Sequence, residues 1–234
     1  MSGAPTLQRL IDAATGLSLQ PRGPRWSHLS LCVLDAVFSI GARYSNVTRL
    51  CWRYANYAAL PDPLLPADEL GTIVGTHREQ PLDDLVTHIR STDPEIFAST
   101  VLRHRGRTST RNGILKAEAV LHYADILTNH HVDTIGDIPA LLSDDARLAM
   151  VEDALRRVPG NGGNDVRLNY LWMVSGDDHR VKPDRMVLRW LTHHLGQPVT
   201  ARTARELLAA VAARLSCTPW ELDHAIWRVQ SGRR

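Results

Sequence analysis

Apolar residues recur at helical spacing along most of this chain. The clearest case is an early face formed by Leu31, Leu34, Val37 and Phe38. Side chains spaced in this way lie on one side of a helix, so the pattern predicts a buried helix. A polar break at residues 41–46 separates it from a second apolar helix, and a proline ends that helix at position 61.

Caps, prolines at the first helical position and terminal glycines predict further helices. The predicted helices cover residues 82–89, 114–127, 138–142, 143–158, 164–175, 184–195 and 201–215, with two more that begin at Pro94 and Pro219. The assigned caps are Asp93, Ser143, Thr200 and Thr218, the last in a capping box with Glu221. No segment alternates apolar and polar residues over the length of a strand, so we predict an all-α fold without a sheet.

Composition narrows the possible partners. The 234 residues include 27 Lys and Arg against 25 Asp and Glu, so any affinity for a polyanion must come from local clusters of charge. The three cysteines are far apart, which argues against disulfides and against a cysteine metal site. The N-terminal segment does not resemble a signal peptide, and no apolar run is long enough for a membrane span. We therefore expect a soluble, cytoplasmic protein.

The segment 158–164, V-P-G-N-G-G-N, is a glycine-rich hairpin between two predicted helices. Because glycine has no side chain, the amides of Gly160, Gly162 and Gly163 can approach a ligand closely. The following helix begins near Asn164, and a helix N-terminus favours an anion such as a DNA phosphate. The alternative is a plain helix–helix turn closed by glycine.

This hairpin, together with V-K-P-D-R-M-V-L-R-W from Val181, resembles the helix–hairpin–helix DNA glycosylases of the endonuclease III type. In that family the hairpin reads L-P-G-x-G-x-K/x, and an essential aspartate follows some twenty residues later in the pattern D-x-H-x-x-R. Asp184 falls on that aspartate and Arg189 on the arginine, whereas Met186 replaces the histidine. The segment L-C-V-L-D-A-V-F-S before residue 40 and G-I-L-K-A from Gly113 are weaker matches.

Two departures from the family define the expected subtype. Asn164 stands where bifunctional members carry a lysine nucleophile, so no Schiff base forms there. The family's C-terminal cluster of four cysteines is also absent. The resemblance therefore implies a monofunctional glycosylase without AP-lyase activity and without an iron–sulfur cluster.

The resemblance also implies an architecture and partners. It implies one helical unit, residues 1–234, in two lobes: a central lobe of about 47–180 that contains the hairpin 158–164, and a terminal lobe of 1–46 plus 181–234. The partner would be double-stranded DNA. From the sequence itself we expect a monomer and no association with membranes, and the oligomeric state stays open. No cofactor or metal is expected, apart from a monovalent cation that hairpin carbonyls can hold. Adjacent histidines such as His130 and His131 point about 100° apart on a helix and rarely share a metal.

The implied reaction is hydrolysis of the N-glycosidic bond of a damaged, mismatched or modified base flipped out of the duplex. Asp184 would stabilise the positive charge that develops on the sugar and orient the attacking water. The alternative role for Asp184 is an N-cap of the helix that it begins, and the two roles are compatible. The resemblance implies base excision repair or a related DNA-processing role.

Several polar residues outside the hairpin are candidate DNA contacts. Arg43 and Tyr44 are the candidate wedge, Asn112 is a candidate second wedge, and Arg107 and Arg111 lie in the basic stretch 103–111. Lys182, two residues before Asp184, is a candidate phosphate contact. The corresponding alternatives are a surface turn for the wedge and solvated side chains for the basic stretch and the lysine.

Two other functions remain open from the sequence. One is a catalytically silent helix–hairpin–helix DNA-binding protein, and the other is an all-helical protein-interaction domain. The base also remains open among mismatched thymine or uracil, alkylated purines and other modified bases.

Overall fold

The computed structural model describes residues 3–66, 79–161 and 164–232, and these are mostly helical, which confirms the predicted all-α character. The helices are α1 (Gly3–Thr15), α2 (Leu29–Phe38), α3 (Tyr44–Tyr57), α4 (Leu82–Thr92), α5 (Pro94–Thr100), α6 (Lys116–Asn129), α7 (Ile138–Leu142), α8 (Asp145–Arg157), α9 (Val166–Ser175), α10 (Arg185–Leu195), α11 (Ala201–Arg214) and α12 (Pro219–Ser231). A short 3₁₀ helix, Ile135–Asp137, precedes α7. Two short strands, β1 (Arg25–Trp26) and β2 (Leu64–Leu65), pair antiparallel.

Some local details differ from the sequence predictions. The strands β1 and β2 were predicted to be absent, and this was wrong because strands of two residues are too short to show alternation. The cap of α8 is Asp144 rather than Ser143, since the Asp144 carboxylate accepts the Arg147 N–H at 3.0 Å. The predicted capping box of Thr218 and Glu221 is confirmed.

The chain forms two compact units. The terminal unit comprises Met1–Arg22, Gly163–Met173 and Asp177–Arg234, and the central unit comprises Gly23–Gly162 and Val174–Gly176. These boundaries differ from those that the family resemblance implies near residues 46 and 181. The first boundary lies earlier because α2 packs against α3 and α6.

The terminal unit has its own apolar core. Helix α1 packs against α10 and α11, and α12 packs against the same two helices. Buried side chains of all four helices meet in one cluster, which includes Leu10, Trp190, Leu191, Leu208 and Ile226. Burial of each such side chain stabilises the unit by about 2 kcal/mol, so α1 is an integral part of this core.

The central unit is organised around α2. All ten residues of this helix are buried, including Asp35. Helices α3, α4 and α6 pack against it. Eight of the ten residues are apolar and lie on every side of the helix, and such a helix must be covered by other elements.

Side chains from distant positions satisfy both ends of α2. At its start, Glu79 Oε1 accepts the Leu29 N–H at 2.7 Å. At its end, the Lys116 ammonium donates to the carbonyls of Phe38 at 3.2 Å and Ile40 at 2.8 Å. The first and last turns of a helix lack internal partners, so these groups stabilise a helix that water does not reach. Within the described ranges, no helix is long and apolar enough to cross a membrane.

Candidate nucleic-acid interface

Asp184 is the N-cap of α10 and belongs to the terminal unit. Its Oδ1 atom accepts the N–H groups of Met186 at 2.7 Å and Val187 at 3.2 Å. No hydrogen bond from another described residue reaches its Oδ2 atom. One carboxylate oxygen therefore caps the helix, and the other makes no hydrogen bond to the described part of the chain. The helix N-terminus also favours a negative charge at this position.

The segment before Asp184, residues 177–184, is called here the Asp184 loop. The Asp184 N–H donates to the Lys182 carbonyl at 2.6 Å, which closes a tight turn around the buried Pro183. The Lys182 ammonium lies 3.5 Å from the centre of the Tyr170 ring. This contact is a cation–π interaction, so the candidate phosphate contact Lys182 has an aromatic neighbour that the sequence did not place.

A second carboxylate, Asp223 of α12, holds the same turn. Its Oδ2 atom accepts the Lys182 N–H at 2.8 Å, across 41 residues of sequence. Asp223 is only 6% exposed. Burial, with the negative charge of Asp184, raises the pKa of Asp223 to about 8, and the Lys182 amide and ammonium oppose this rise. Sequence reasoning missed Asp223, because nothing local connects it with Asp184.

Arg189, the second residue matched to the family pattern, is also held by α12. Its guanidinium donates to the Gln230 side-chain oxygen at 2.6 Å and to the Gln230 carbonyl at 2.9 Å. A further contact joins Arg189 Nη2 to the sulfur of Met186 at 3.3 Å. The residue that replaces the family histidine thus packs within the terminal unit as a neighbour of Arg189.

The hairpin is described only in part. Gly160 has a φ of +92°, a conformation that favours glycine, and it belongs to the central unit. Gly162 and Gly163 lie outside the described residues. Asn164 is exposed and belongs to the terminal unit, and Asp165 has a φ of +52° just before α9 begins. Both described ends of the hairpin thus contain a residue at positive φ, while its role in binding DNA stays a prediction.

Arg43 and Tyr44 begin α3 in the central unit, and both are exposed. The Tyr44 hydroxyl donates to the buried Asp35 carboxylate at 3.3 Å, and the Trp26 indole N–H donates to the same oxygen at 2.8 Å. The phenol tip is thus anchored while 43% of the Tyr44 residue surface stays exposed. The wedge role of Arg43 and Tyr44 stays a prediction.

The basic stretch lies in an ordered loop, residues 103–113, called here the arginine loop. Its backbone is paired with the segment before α6: the Thr108 N–H donates to Ile114, and the Lys116 N–H donates to Gly106, both at 2.9 Å. A Cβ atom on Gly113 would lie 2.3 Å from the Ser109 nitrogen, so the loop closes tightly at a position that only glycine fits.

The four arginines of this loop are exposed, but two of them also bind other parts of the protein. Arg103, Arg105, Arg107 and Arg111 are exposed. Arg105 is paired with Glu95, and Arg107 donates to the Gly113 carbonyl at 2.8 Å. No carboxylate among the described residues pairs with Arg111. Asn112, the candidate second wedge, is exposed in the left-handed region at a φ of +55°.

Residues 39–44, which include the candidate wedge residues Arg43 and Tyr44, are called here the wedge turn. Lys116 brings the wedge turn and the arginine loop together in the central unit. Its ammonium binds the Ile40 carbonyl, and its backbone N–H binds the Gly106 carbonyl. The rings of Phe38 and His104 meet edge to face at 5.0 Å between the same two segments. Burial and the nearby Lys116 and Arg53 lower the pKa of His104, so this contact is kept by a neutral ring. The candidate contacts Arg43, Tyr44, Arg107, Arg111 and Asn112 thus lie on two neighbouring loops.

Comparison with known proteins assigns a family. A search of curated proteins found no match, and a search of solved structures found none either. In the described parts of the chain, no group of three or more His, Cys, Asp or Glu side chains could hold a metal ion. One family model matches residues 6–231, which is nearly the whole sequence. The chain therefore belongs to the family described as Domain of unknown function (DUF8548).

Proposed function

We propose that this protein is a monofunctional DNA glycosylase that hydrolyses the N-glycosidic bond of a damaged, mismatched or modified base. The observation that carries the proposal is the hydrogen bonding of the two carboxylate oxygens of Asp184. Its Oδ1 atom is fixed by two backbone amides, and its Oδ2 atom receives no hydrogen bond from another described residue. A carboxylate with one oxygen anchored and the other open is suited to face a developing cation.

The chemistry that Asp184 would perform is simple. The bond between the sugar C1′ and the base nitrogen breaks, and the electron pair leaves with the base. The sugar then carries positive charge, which the carboxylate stabilises. Water adds to C1′, and the proton that it loses is taken up by Asp184 or by the departing base. The products are a free base and an abasic site, and no bond to the enzyme forms.

DNA binding would use the exposed cations and the hairpin. The arginine loop presents Arg107 and Arg111, and the wedge turn beside it presents Arg43 and Tyr44. Gly160, Gly162, Gly163 and Asn164 would provide the backbone amides for a phosphate, and Lys182 a further charge. The balanced net charge of +2 makes these local groups the expected source of affinity.

A second candidate function is a catalytically silent DNA-binding protein. The replacement of the family histidine by Met186, whose sulfur contacts Arg189, favours it. In that case Asp184 would serve only as the cap of α10. DNA would then bind with the same dependence on salt, but no base would be released.

The deciding experiment is an abasic-site assay on duplexes with a panel of damaged, mismatched and modified bases. The asparagine of Asp184→Asn keeps an oxygen that can cap α10, so this variant should fold. We expect wild type to yield strand breaks only after alkali, and Asp184→Asn to reduce the excision rate about a thousandfold or more. Asp144→Asn, which alters an aspartate cap on α8, is the matched control and should keep full activity.

The other outcomes separate the alternatives. Tight, salt-sensitive binding by both proteins without release of any base would favour the silent DNA-binding protein. An absence of salt-dependent DNA binding would favour a protein-interaction domain. Strand cleavage without alkali would contradict the monofunctional assignment, since Asn164 cannot form a Schiff base.

A further inference from the structure

Asp223 and the turn that carries Asp184 form a buried polar connection between α12 and the Asp184 loop. The Asp223 side chain accepts the Lys182 N–H at 2.8 Å. The Lys182 carbonyl in turn accepts the Asp184 N–H at 2.6 Å. Between the two, Pro183 restricts the backbone. The Asp223 carboxyl oxygen therefore ties Lys182 to α12 directly. It ties Asp184 to α12 indirectly, through the Lys182 carbonyl.

The charges that act on Asp223 come from the same unit. The charged groups that act on it are Asp184, at the start of α10, and Lys182 of the Asp184 loop. Helix α11, which packs against α12, contributes apolar side chains to the shared core, such as Ala204 and Leu208. Because burial raises the pKa of Asp223 to about 8, this carboxyl group is mostly protonated at neutral pH. Asp184 can then carry its negative charge without a second buried charge beside it.

We propose that Asp223 is a positioning residue, whose carboxyl oxygen holds the Lys182 amide and thereby fixes the direction in which Asp184 presents its open oxygen. The catalytic consequence rests on the proposed glycosylase function, whereas the holding of the turn does not. Asp223 itself is buried and is not assigned a contact with the substrate. Its role is to keep Asp184 within the small range of positions in which it can act, because a misplacement of about 1 Å can cost a hundredfold in rate.

The test compares two variants of similar size. Asp223→Asn keeps an oxygen that can accept the Lys182 N–H, whereas Asp223→Leu removes the acceptor without leaving a large cavity. Gln230→Ala is the matched control, since Gln230 is buried on the same helix but binds Arg189 instead of the turn. The measurements are hydrogen exchange at the Lys182 amide, the single-turnover excision rate, and the Kd for the substrate duplex.

We expect Asp223→Leu to speed exchange of the Lys182 amide about tenfold or more. The same variant should slow excision about a hundredfold while the Kd stays within about twofold. Asp223→Asn should stay close to wild type in all three measurements, and so should Gln230→Ala. A general loss of stability would not lower the excision rate of Asp223→Leu while leaving its Kd unchanged. It would also not explain why Asp223→Asn behaves like wild type.

Three results would overturn the proposal. One is excision by Asp223→Leu at the wild-type rate. Another is a loss in Asp223→Asn as large as that in Asp184→Asn, because it would mean that the acidic proton is needed instead of the acceptor. The third is hydrogen exchange of the Lys182 amide in the wild-type protein at the rate of an unfolded chain. Because this measurement uses wild type, it tests the proposal even if Asp223→Leu does not fold. If wild type excises no base, the proposed function fails, while the exchange data still judge whether Asp223 holds the turn.

Discussion

The Asp184 loop and the arginine loop show two ways of presenting charged side chains. In the Asp184 loop, distant residues hold the backbone: Asp223 reaches the Lys182 amide across 41 residues. In the arginine loop, the backbone pairs mainly with the segment that follows it, as in the bond from Thr108 to Ile114. The first loop presents a half-buried carboxylate, and the second presents exposed cations.

This difference matches the demands of the two tasks proposed for these loops. A carboxylate that acts on one bond must be held in position, and buried hydrogen bonds to remote helices provide that constraint. Cations that neutralise a phosphate backbone act through their number and their exposure, and a rigid frame beneath them is sufficient. Substitutions should therefore affect the two loops in different ways.

The largest expected effect is on the pH dependence of stability, through one buried carboxyl group with a strongly raised pKa in each unit. Burial raises the pKa of Asp223 to about 8 and that of Glu79 to about 7. The unfolded chain loses both protons near pH 4, so the stabilising contribution of these two groups is full below that pH. It falls by about 1 kcal/mol per pH unit for each group until the folded pKa of that group is reached. Between pH 7 and 8, we expect Asp223→Asn to flatten the curve and Glu79→Gln to leave it unchanged.

Urea unfolding of wild type and both variants from pH 5 to 9 checks this expectation. Between pH 5 and 7, each variant should remove part of the decline. If Glu79→Gln alone removed the fall between pH 7 and 8, the assignment of that fall to the terminal unit would be wrong.

A smaller effect on the free energy of unfolding is expected when either of two lysines is replaced. Lys116 follows the arginine loop, and Lys182 lies within the Asp184 loop. Lys116→Met removes the donor to the Phe38 and Ile40 carbonyls at the end of α2, and should lower the free energy of unfolding by about 2 kcal/mol. Lys182→Met removes the half-buried ammonium that makes a cation–π contact with Tyr170, and it should cost less than about 1 kcal/mol. Urea unfolding at pH 7 measures both, and equal losses would contradict the comparison.

The smallest effect concerns DNA affinity. We expect the double substitution Arg107→Gln and Arg111→Gln to weaken binding about tenfold and to lower the slope of log Kd against log salt by about 2. Arg105→Gln, in the same loop but paired with Glu95, is the control and should change the slope less. Fluorescence anisotropy at several salt concentrations measures all three proteins. A larger loss from Arg105→Gln would show that exposure alone does not identify the contacts.

Local chemistry explains which parts of the fold could be predicted. The predicted capping box joins Thr218 and Glu221, which are three positions apart, and the structure confirms it. Gly196 ends α10 at a φ of +73°, as its place after the last apolar residue indicates. The cap role of Asp184 is also confirmed, while its catalytic role stays a prediction. In each case the signal lies within one turn of the residue concerned.

Other features could not be predicted, or were overlooked, for different reasons. Helix α1 was not predicted, although its buried Leu10 and Ala14 and the half-buried Leu7 and Ile11 do have helical spacing. The roles of Lys116 and Asp223 depend on partners 76 and 41 residues away, and only the folded chain brings these groups together. No pattern in a single sequence marks such pairs.

The terminal unit is built from three separate segments, the first of which is far from the other two in the sequence, and this affects how it forms during translation. Helix α1 leaves the ribosome well before its partners α10 and α11, which begin at Arg185 and Ala201. At ordinary elongation rates, roughly 10 to 30 s pass between them. During that interval the apolar face of α1 lacks its final cover, whereas most of the central unit has already been translated. The nascent chain would thus expose Leu7, Leu10 and Ile11 to chaperones for longer than any part of the central core.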